Sequence, residues 1–406
     1  MERRGVGSVA RMRRLLLLAG VLVFVDTMLY AALTPLLPHF AREFGLSKSG
    51  AGTLVAAYAA GALIGGLPGG FAAVRIGPRR AVLVGLALMG ASSVGFALAG
   101  NFPVLFAARL FQGLGSAFTW AGAFSWLLAA APRDRRGEVI GAAMGAAVGG
   151  ALFGPVVGAV AALLGRAAVF SALGGLAVLL AAWTLRLPSP PPERPSAGRF
   201  ARAFRNRRFL GGLALMSSAS VLEGNLYVLA PLHLAAAGWG ATAIGALWLV
   251  SAGAEATGAP LIGRLSDRRG ALLPVRAALG VGAIASLVLA FGGRPLVYAP
   301  LLLIASVSYG TLFTPALALI ADGSDEAGLP QGLGFGLMNA AWAVGAVIGP
   351  AGGGALAGAT GDAIPLVVSA ALCVLALVVA RPRSGHERAA VLVDGLTGDA
   401  AGVGRE

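Results

Sequence analysis

The stretch "LFAARLFQGLGSAF", residues 105–118, sets Arg109 and Gln112 inside a run that is otherwise apolar or small. The run is one of many, for the 406-residue chain is 57% hydrophobic and 12% charged, with a mean hydropathy of +0.83. A soluble core of that size would be wrapped in far more charge, so the bilayer is the solvent here. A guanidinium at membrane depth costs at least about 2.5–3.5 kcal/mol on insertion scales, and something must offset it.

Outward from Arg109, apolar runs long enough to cross, about 20 residues each, fall near residues 15–38, 51–73, 81–99, 103–127, 138–160 and 167–186. A second set falls near 210–235, 242–263, 272–292, 296–320, 331–357 and 363–380. The sequence therefore predicts an all-α membrane protein with twelve transmembrane helices in two pseudo-symmetric six-helix bundles. Between the sets lies "RLPSPPPERPSAGRFARAFRNRR" (186–208), whose prolines break helix and whose arginines favour the cytoplasm. The expected organisation is an N-terminal bundle over 1–187, a cytoplasmic linker over 188–209, a C-terminal bundle over 210–380 and a cytoplasmic tail over 381–406.

Arginine and lysine placement sets the orientation, because positive loops stay cytoplasmic. Of the 31 basic residues, only Arg42, Lys48, Arg166 and Arg294 fall on the far side, and Arg109 falls within a span. Both termini are thus expected in the cytoplasm of a bacterium, with the chain in the inner membrane. The net charge of +14 is a topology signal spread over short loops, so no nucleic-acid partner is expected. The start, "MERRGVGSVARMRRLLLLAGVLVFVD", lacks an A-x-A-like cleavage site and runs on to Pro38, which marks an uncleaved first helix.

Several function classes drop out. The lone cysteine, Cys373, gives no internal disulfide and no multi-cysteine metal or iron–sulfur site. The only lysine, Lys48, follows Ser47, so no phosphate-binding G-x-x-x-x-G-K-[ST] loop exists. Neither H-E-x-x-H nor G-x-S-x-G occurs, and His39, His233 and His386 are scattered. No enzyme activity, cofactor or metal is expected.

The two halves repeat one another. A shift of 195 residues lays "GSAFT" (115–119) on "GTLFT" (310–314) and Gly141, Gly150, Gly154, Pro155 and Gly158 on Gly336, Gly345, Gly349, Pro350 and Gly353. A shift of 193 lays Gly70 on Gly263, and one of 197 lays "DTMLY" (26–30) on "EGNLY" (223–227). Glycines at near four-residue spacing allow close backbone approach between helices, and Pro155 and Pro350 each remove a helical hydrogen bond. Repeated halves that meet at the midplane are a physical arrangement for alternating access.

Ionisable groups at depth face a bundle interior or a water-filled cavity, since lipid cannot solvate them. Asp26 with Tyr30, Arg109 with Gln112, Glu223 with Tyr227, and Glu255 and Asn339 are the candidate proton-coupling or substrate-cavity residues. Asp26 is the expected partner of Arg109, with backbone carbonyls as the alternative. Burial disfavours a charged carboxylate and a nearby arginine favours it, so the acids farthest from Arg109, Glu223 or Glu255, are expected to carry the proton. The aromatics Tyr58, Trp120, Trp248 and Trp342 can stack on an apolar or cationic substrate, with ordinary packing as the alternative.

These residues resemble the major facilitator superfamily, and within it the twelve-span drug:proton antiporters. "LFAARLFQGLGSA" is similar to that family's fourth-helix motif at Leu105, Arg109, Gln112, Gly113, Gly115 and Ala117, and "GAAMGAAVGGALFGPVVG" (141–158) looks like its fifth-helix antiporter motif. "FVDTMLYAALTPLLPHF" (24–40) is similar to the first-helix pattern. After span two, "GFAAVRIGPRR" keeps Gly70, Arg75, Gly77, Arg79 and Arg80 but has Val74 where the family places an aspartate. The loop after span eight, "GRLSDRRG", keeps Gly263, Asp267 and Arg268. In the N-half the acid of the family's cytoplasmic lock is missing, with Asp322, Asp325 and Glu326 either candidate replacements or, since surface ion pairs are weak, solvated loop charge. The resemblance implies that Arg109 takes part in proton transfer and that the conformational motifs, including Gly150, Gly154, Pro155, Gly158, Gly345, Gly349 and Pro350, govern helix packing and bending.

The resulting expectation is a monomeric proton-coupled antiporter exporting small amphipathic or cationic molecules, drugs among them, by alternating access. Its partners are that small-molecule substrate, protons and the lipid bilayer. An importer or metabolite exporter of the same fold, or a non-transporting membrane receptor, stands as the alternative.

Overall fold

The computed structural model describes residues 2–131, 136–189, 200–269, 272–292, 295–329 and 331–380. Every element among them is helical. Twelve spans follow in order. Spans two to six are Lys48–Arg75, Pro78–Ala97, Phe102–Ala130, Arg136–Leu164 and Arg166–Leu185; spans seven to nine are Arg207–Ala236, Ala241–Arg269 and Leu272–Phe291; spans eleven and twelve are Gln331–Thr360 and Ala363–Val379. Spans one and ten are interrupted: Glu2–Ala31 continues through the short 3-10 turn Thr34–Leu36 into Leu37–Glu43, and Pro295–Thr311 continues into Phe313–Glu326. Among the described residues nine segments are long and apolar enough to cross by themselves, while spans four and eight carry polar stripes and span twelve is short.

The two interruptions have one cause. Helix one stops at Ala31 and the first part of span ten at Thr311, each four residues before a proline, Pro35 and Pro315. Proline has no N–H to give the carbonyl one turn back, and the helix cannot close there. Pro155 and Pro350, in contrast, lie within unbroken helices.

Local signals fix the helix starts. Ser47, Asn101 and Asn206 each accept the backbone N–H three residues on, from Gly50, Val104 and Phe209; such caps satisfy a donor the helix leaves orphaned. Gly77 opens span three at φ 92°, a left-handed geometry that only glycine adopts without strain, which lets two spans join through a two-residue turn.

Within each half, the glycine ridge seats one helix on another. Gly150, Gly154 and Gly158 of span five lie against the carbonyls of Phe24, Met28 and Ala32 in span one, so closely that no methyl group would fit. Gly345 and Gly349 of span eleven lie in the same way against the carbonyls of Ser217 and Val221 of span seven, and Gly353 against the side-chain oxygen of Asn225. This corrects the pairing of "DTMLY" with "EGNLY": the packed register relates spans one and seven by 193 residues, the offset that also lays Pro38 on Pro231. Glu223 therefore stands where Tyr30 stands, one turn beyond Asp26, and the counterpart of Asp26 is Ala219. The local likeness Asp/Glu-x-x-x-Tyr misled because a shift of one turn preserves helix face while changing depth.

The halves meet through two symmetry-related crossings, span two with eleven and span five with eight. At the first, Gly52 meets the Pro350 carbonyl and Gly354; at the second, Gly245 lies against the Pro155 carbonyl, where a methyl group would fall 3.0 Å from the oxygen. Both contacts lie toward the end of the molecule away from the chain termini. Toward the terminal, arginine-rich end the crossings part: Gly66 and Gly70 of span two and Gly141 and Gly145 of span five have open space beside them. Ile64, Leu67 and Phe71 are correspondingly exposed, at 61%, 68% and 50%, whereas Leu54 and Ala57 on the same helix are buried. The bundles thus form a V, closed at one end and open at the basic end.

Candidate functional site

Asp26 is buried on span one and accepts three hydrogen bonds, from the Tyr58 hydroxyl at 2.7 Å, the Ser116 hydroxyl at 2.8 Å and the Trp120 indole N–H at 2.6 Å. The donors come from spans two and four, so one carboxylate ties three helices together. Hydrogen bonds to an ionised acceptor are the strong class, worth about 1.5–3 kcal/mol each.

Arg109, also buried, does not pair with Asp26. Spans one and four run antiparallel, so Ser116 and Trp120, two to three turns along span four, meet Asp26, while Arg109 comes level with Leu29 and Tyr30. Its guanidinium donates to the Leu29 carbonyl at 3.1 Å, the Tyr30 carbonyl at 3.2 Å and Gln112 Oε1 at 2.7 Å. These carbonyls belong to the last turn of the helix that Pro35 terminates, where carbonyls lack helical partners. Arg109 caps that broken end, and its guanidinium lies 5.0 Å from the centre of the Tyr58 ring. Orphaned carbonyls, a glutamine and an aromatic face offset the cost of its burial. Gln112 in turn donates to Ser93 Oγ of span three at 3.4 Å.

On the other half, Glu223 of span seven is 9% exposed, and Glu255 of span eight lies close enough to repel it electrostatically. Glu255 accepts from Ser306 Oγ of span ten at 2.8 Å and from Ser251 Oγ at 3.3 Å. Gly310, one turn on from Ser306, makes room for this carboxylate: a methyl group there would sit 2.7 Å from it. Asn339 is half-buried in span eleven.

An aromatic group joins the halves above these acids. The Tyr30 ring lies 5.1 Å from Tyr58 in its own half, and 6.0 Å from Tyr227 and 5.3 Å from Trp342 across the interface. Tyr227 stacks on Trp248 at 4.7 Å. A gap too narrow to admit a water molecule, lined by Ala19, Val23, Ala123, Phe124, Leu127 and Ala143, is wholly apolar and contains none of the candidate residues.

At the closed end, Lys48 pairs with Asp362 across the halves, with His233 Nδ1 4.0 Å from the same carboxylate and stacked on Tyr298. His39 and Arg166 share Glu43, at 3.3 and 2.7 Å. At the open end, Arg75 folds over Phe71 of its own helix, Arg79 reaches the Leu187 carbonyl at 3.5 Å, and Arg80 and Arg268 are exposed. Glu326 pairs with Arg208 and Asn206 of its own half rather than with the loop after span two. The surroundings of Gly263 and the side chain of Asp267, residues 190–199 of the linker and the whole tail lie outside the described residues.

Sequence reasoning placed Tyr58 and Trp120 as stacking aromatics and missed them as donors to Asp26; Ser306 carried no local signal and Gly310 only its place in the repeat, since span ten reaches Glu255 only in the folded bundle.

The profile of the Major Facilitator Superfamily matches residues 19–333. The chain is similar to the "Chloramphenicol resistance protein" of Streptomyces lividans, 32% identical over 376 residues that cover 86% of this chain and 91% of that one. Among solved structures it is similar to a D-xylose–proton symporter, with TM-score 0.74, 16% identity and coverage of 91% and 97%. It is also similar to a bacterial homologue of the human lysosomal transporter Spinster in its inward-facing, unoccupied conformation, with TM-score 0.72, 15% identity and coverage of 91% and 95%. At those identities the two structures speak for the fold.

Proposed function

The chain belongs to the major facilitator superfamily and is a membrane transporter rather than an enzyme, and from that premise we propose that it is a proton-coupled antiporter exporting small amphipathic or cationic molecules. We place it in a bacterial cytoplasmic membrane as a monomer, with both termini and the open end of the V facing the cytoplasm, as the arginine-rich loops require. The units 1–187 and 210–380 rock about the two glycine–proline crossings. The observation that carries the proposal is the set of acids, Asp26 and Glu223 buried and Glu255 half-buried, gathered where the halves meet under the Tyr30 aromatic group. A relative whose name is chloramphenicol resistance supports efflux as the direction.

In this reading Asp26, fixed by three donors, is a permanent charge that keeps spans one, two and four in register. Glu223 and Glu255, remote from Arg109 and near one another, hold the exchangeable proton, because two like charges in a low dielectric do not both stay ionised. A proton taken up from outside lowers the pair's charge from minus two to minus one and is released to the cytoplasm when substrate enters from the open end.

The test is transport in proteoliposomes under an imposed pH gradient, with a labelled amphipathic drug. Wild type moves the drug against the proton gradient; Glu223→Gln or Glu255→Gln uncouples it, leaving counterflow of drug for drug. Unchanged pH dependence in both variants rejects the assignment.

A further inference from the structure

We propose that His233 is a second proton-binding site, separate from the acids within the bilayer, and that a proton bound there from outside unlocks the closed end of the molecule. The proposal goes beyond proton-coupled export and takes from it only the rocking of the two halves. Four spans meet at this corner. Asp362, just ahead of span twelve, lies between two nitrogens: Lys48 Nζ of span two is 2.5 Å from its Oδ1, and His233 Nδ1 of span seven is 4.0 Å from its Oδ2. The imidazole stacks on the Tyr298 ring of span ten, with 4.1 Å between ring centres and 19° between planes. Lys48 and Asp362 stand in opposite halves, whereas His233 and Asp362 belong to the same half. Parting the halves therefore breaks the lysine contact and leaves the histidine contact in place. Glu223 stands ten residues back along span seven, about 15 Å away, so the two proton sites are distinct.

That asymmetry makes the corner respond to acid. A neutral His233 leaves Asp362 to Lys48, and the seam holds. An imidazolium in the closed seam faces Lys48 as well as Asp362, so two positive charges share one carboxylate. Once the halves part, Lys48 has gone and the imidazolium keeps the carboxylate to itself. A ligand shifts a population toward the conformation that binds it better, and here the ligand is the proton and the favoured conformation is open to the outside. Histidine is the side chain whose ordinary titration falls between about pH 5 and 8. The charged groups facing His233 are Asp362 and Lys48. Among the described residues the other ionisable groups of this end keep to their own half: His39 and Arg166 pair with Glu43, and Arg42 donates to the Pro38 carbonyl. With His233 and Asp362 side chains 25% and 29% exposed, outer water reaches the site. The same exposure keeps the effect modest, about two- to fivefold in a two-state ratio.

The test is pulsed electron resonance on the purified full-length protein in lipid nanodiscs, spin-labelled at Leu98→Cys and Thr242→Cys, exposed outer positions of the two halves, with Cys373→Ser. A background carrying Glu223→Gln and Glu255→Gln silences the acids within the bilayer, so a response that persists there comes from another group. In that background, acidification from about pH 8 to about pH 5.5 should raise the open-to-closed ratio about two- to fivefold. His233→Gln and Lys48→Gln should each abolish the change, the second without touching the Tyr298 stack. His233→Arg should raise the open fraction already at about pH 8, and His39→Gln, whose partner lies in its own half, should leave the response in place. Gel filtration and thermal melting check that each variant is folded. A background that does not respond to pH, or a full response in His233→Gln or Lys48→Gln, refutes the second site. Drug driven by a pH gradient in wild type together with either of those results keeps the export reading. A response that needs both His233 and Lys48, in a protein that moves nothing under a pH gradient, upholds the second site and refutes proton-coupled export.

Discussion

A methyl group at Gly52 should open the closed end of the molecule. The residue lies where span two crosses span eleven, and its added carbon would overlap the Pro350 carbonyl oxygen and stand 3.1 Å from Gly354 Cα. These neighbours are backbone, which cannot rotate away, so the two helices must separate by a sizeable fraction of an ångström. Overpacking of this kind costs typically about 1–3 kcal/mol. Assigned entirely to the closed conformation, that cost shifts the two-state equilibrium about 5- to 150-fold toward the conformation open at the opposite end. The assay is labelling by a membrane-impermeant maleimide of Ser49→Cys, half-buried at the same seam, in a background where Cys373, the only native cysteine, is serine. Gly52→Ala should raise the labelling rate within that range, and Gly354→Ala, whose methyl group would meet the Lys48 carbonyl at 2.5 Å, should do the same. Gly66→Ala, on the same helix with open space around it, is the control. Equal labelling of Gly52→Ala and Gly66→Ala would show that this crossing does not hold the end shut.

Arg109→Lys keeps the charge but loses the fork that reaches two carbonyls and Gln112 together, and should destabilise the protein by about 1–3 kcal/mol; a melting temperature equal to wild type would refute the capping role. Asp26→Asn turns a donor toward three donors and should destabilise the fold by a comparable amount, about 1–3 kcal/mol, whereas an unchanged melting temperature would mean that the three contacts are replaceable by water. A double-mutant cycle on Lys48→Ala and Asp362→Ala should give a coupling of only about 0.2–1 kcal/mol, because the side chains are 36% and 29% exposed; a coupling well above that would make the pair a principal latch.

Much of the architecture was legible in one chain. Twelve apolar runs and arginine asymmetry gave the span order, because hydrocarbon admits only internally satisfied backbone. The repeated Gly-Pro ridge marked packing surfaces, and in the folded bundle the same residues also form the seam, since the Pro155 and Pro350 carbonyls are where each half touches a glycine of the other. The breaks in spans one and ten were less visible, since a proline inside an apolar run either sits within a continuous helix or ends one, as Pro350 and Pro315 show. The Asp26–Arg109 pairing failed on depth, which face periodicity does not encode.

By itself the sequence determined the solvent, the number of crossings and the presence of charges too costly to be accidental, because each of these follows from composition over a window of about 20 residues. The tertiary structure alone decided which atoms satisfy those charges. Arg109 found the broken end of span one, Asp26 found donors from two other helices, and Glu255 found a hydroxyl and a gap on span ten, since partners dozens of residues apart are chosen by helix register and not by spacing along the chain.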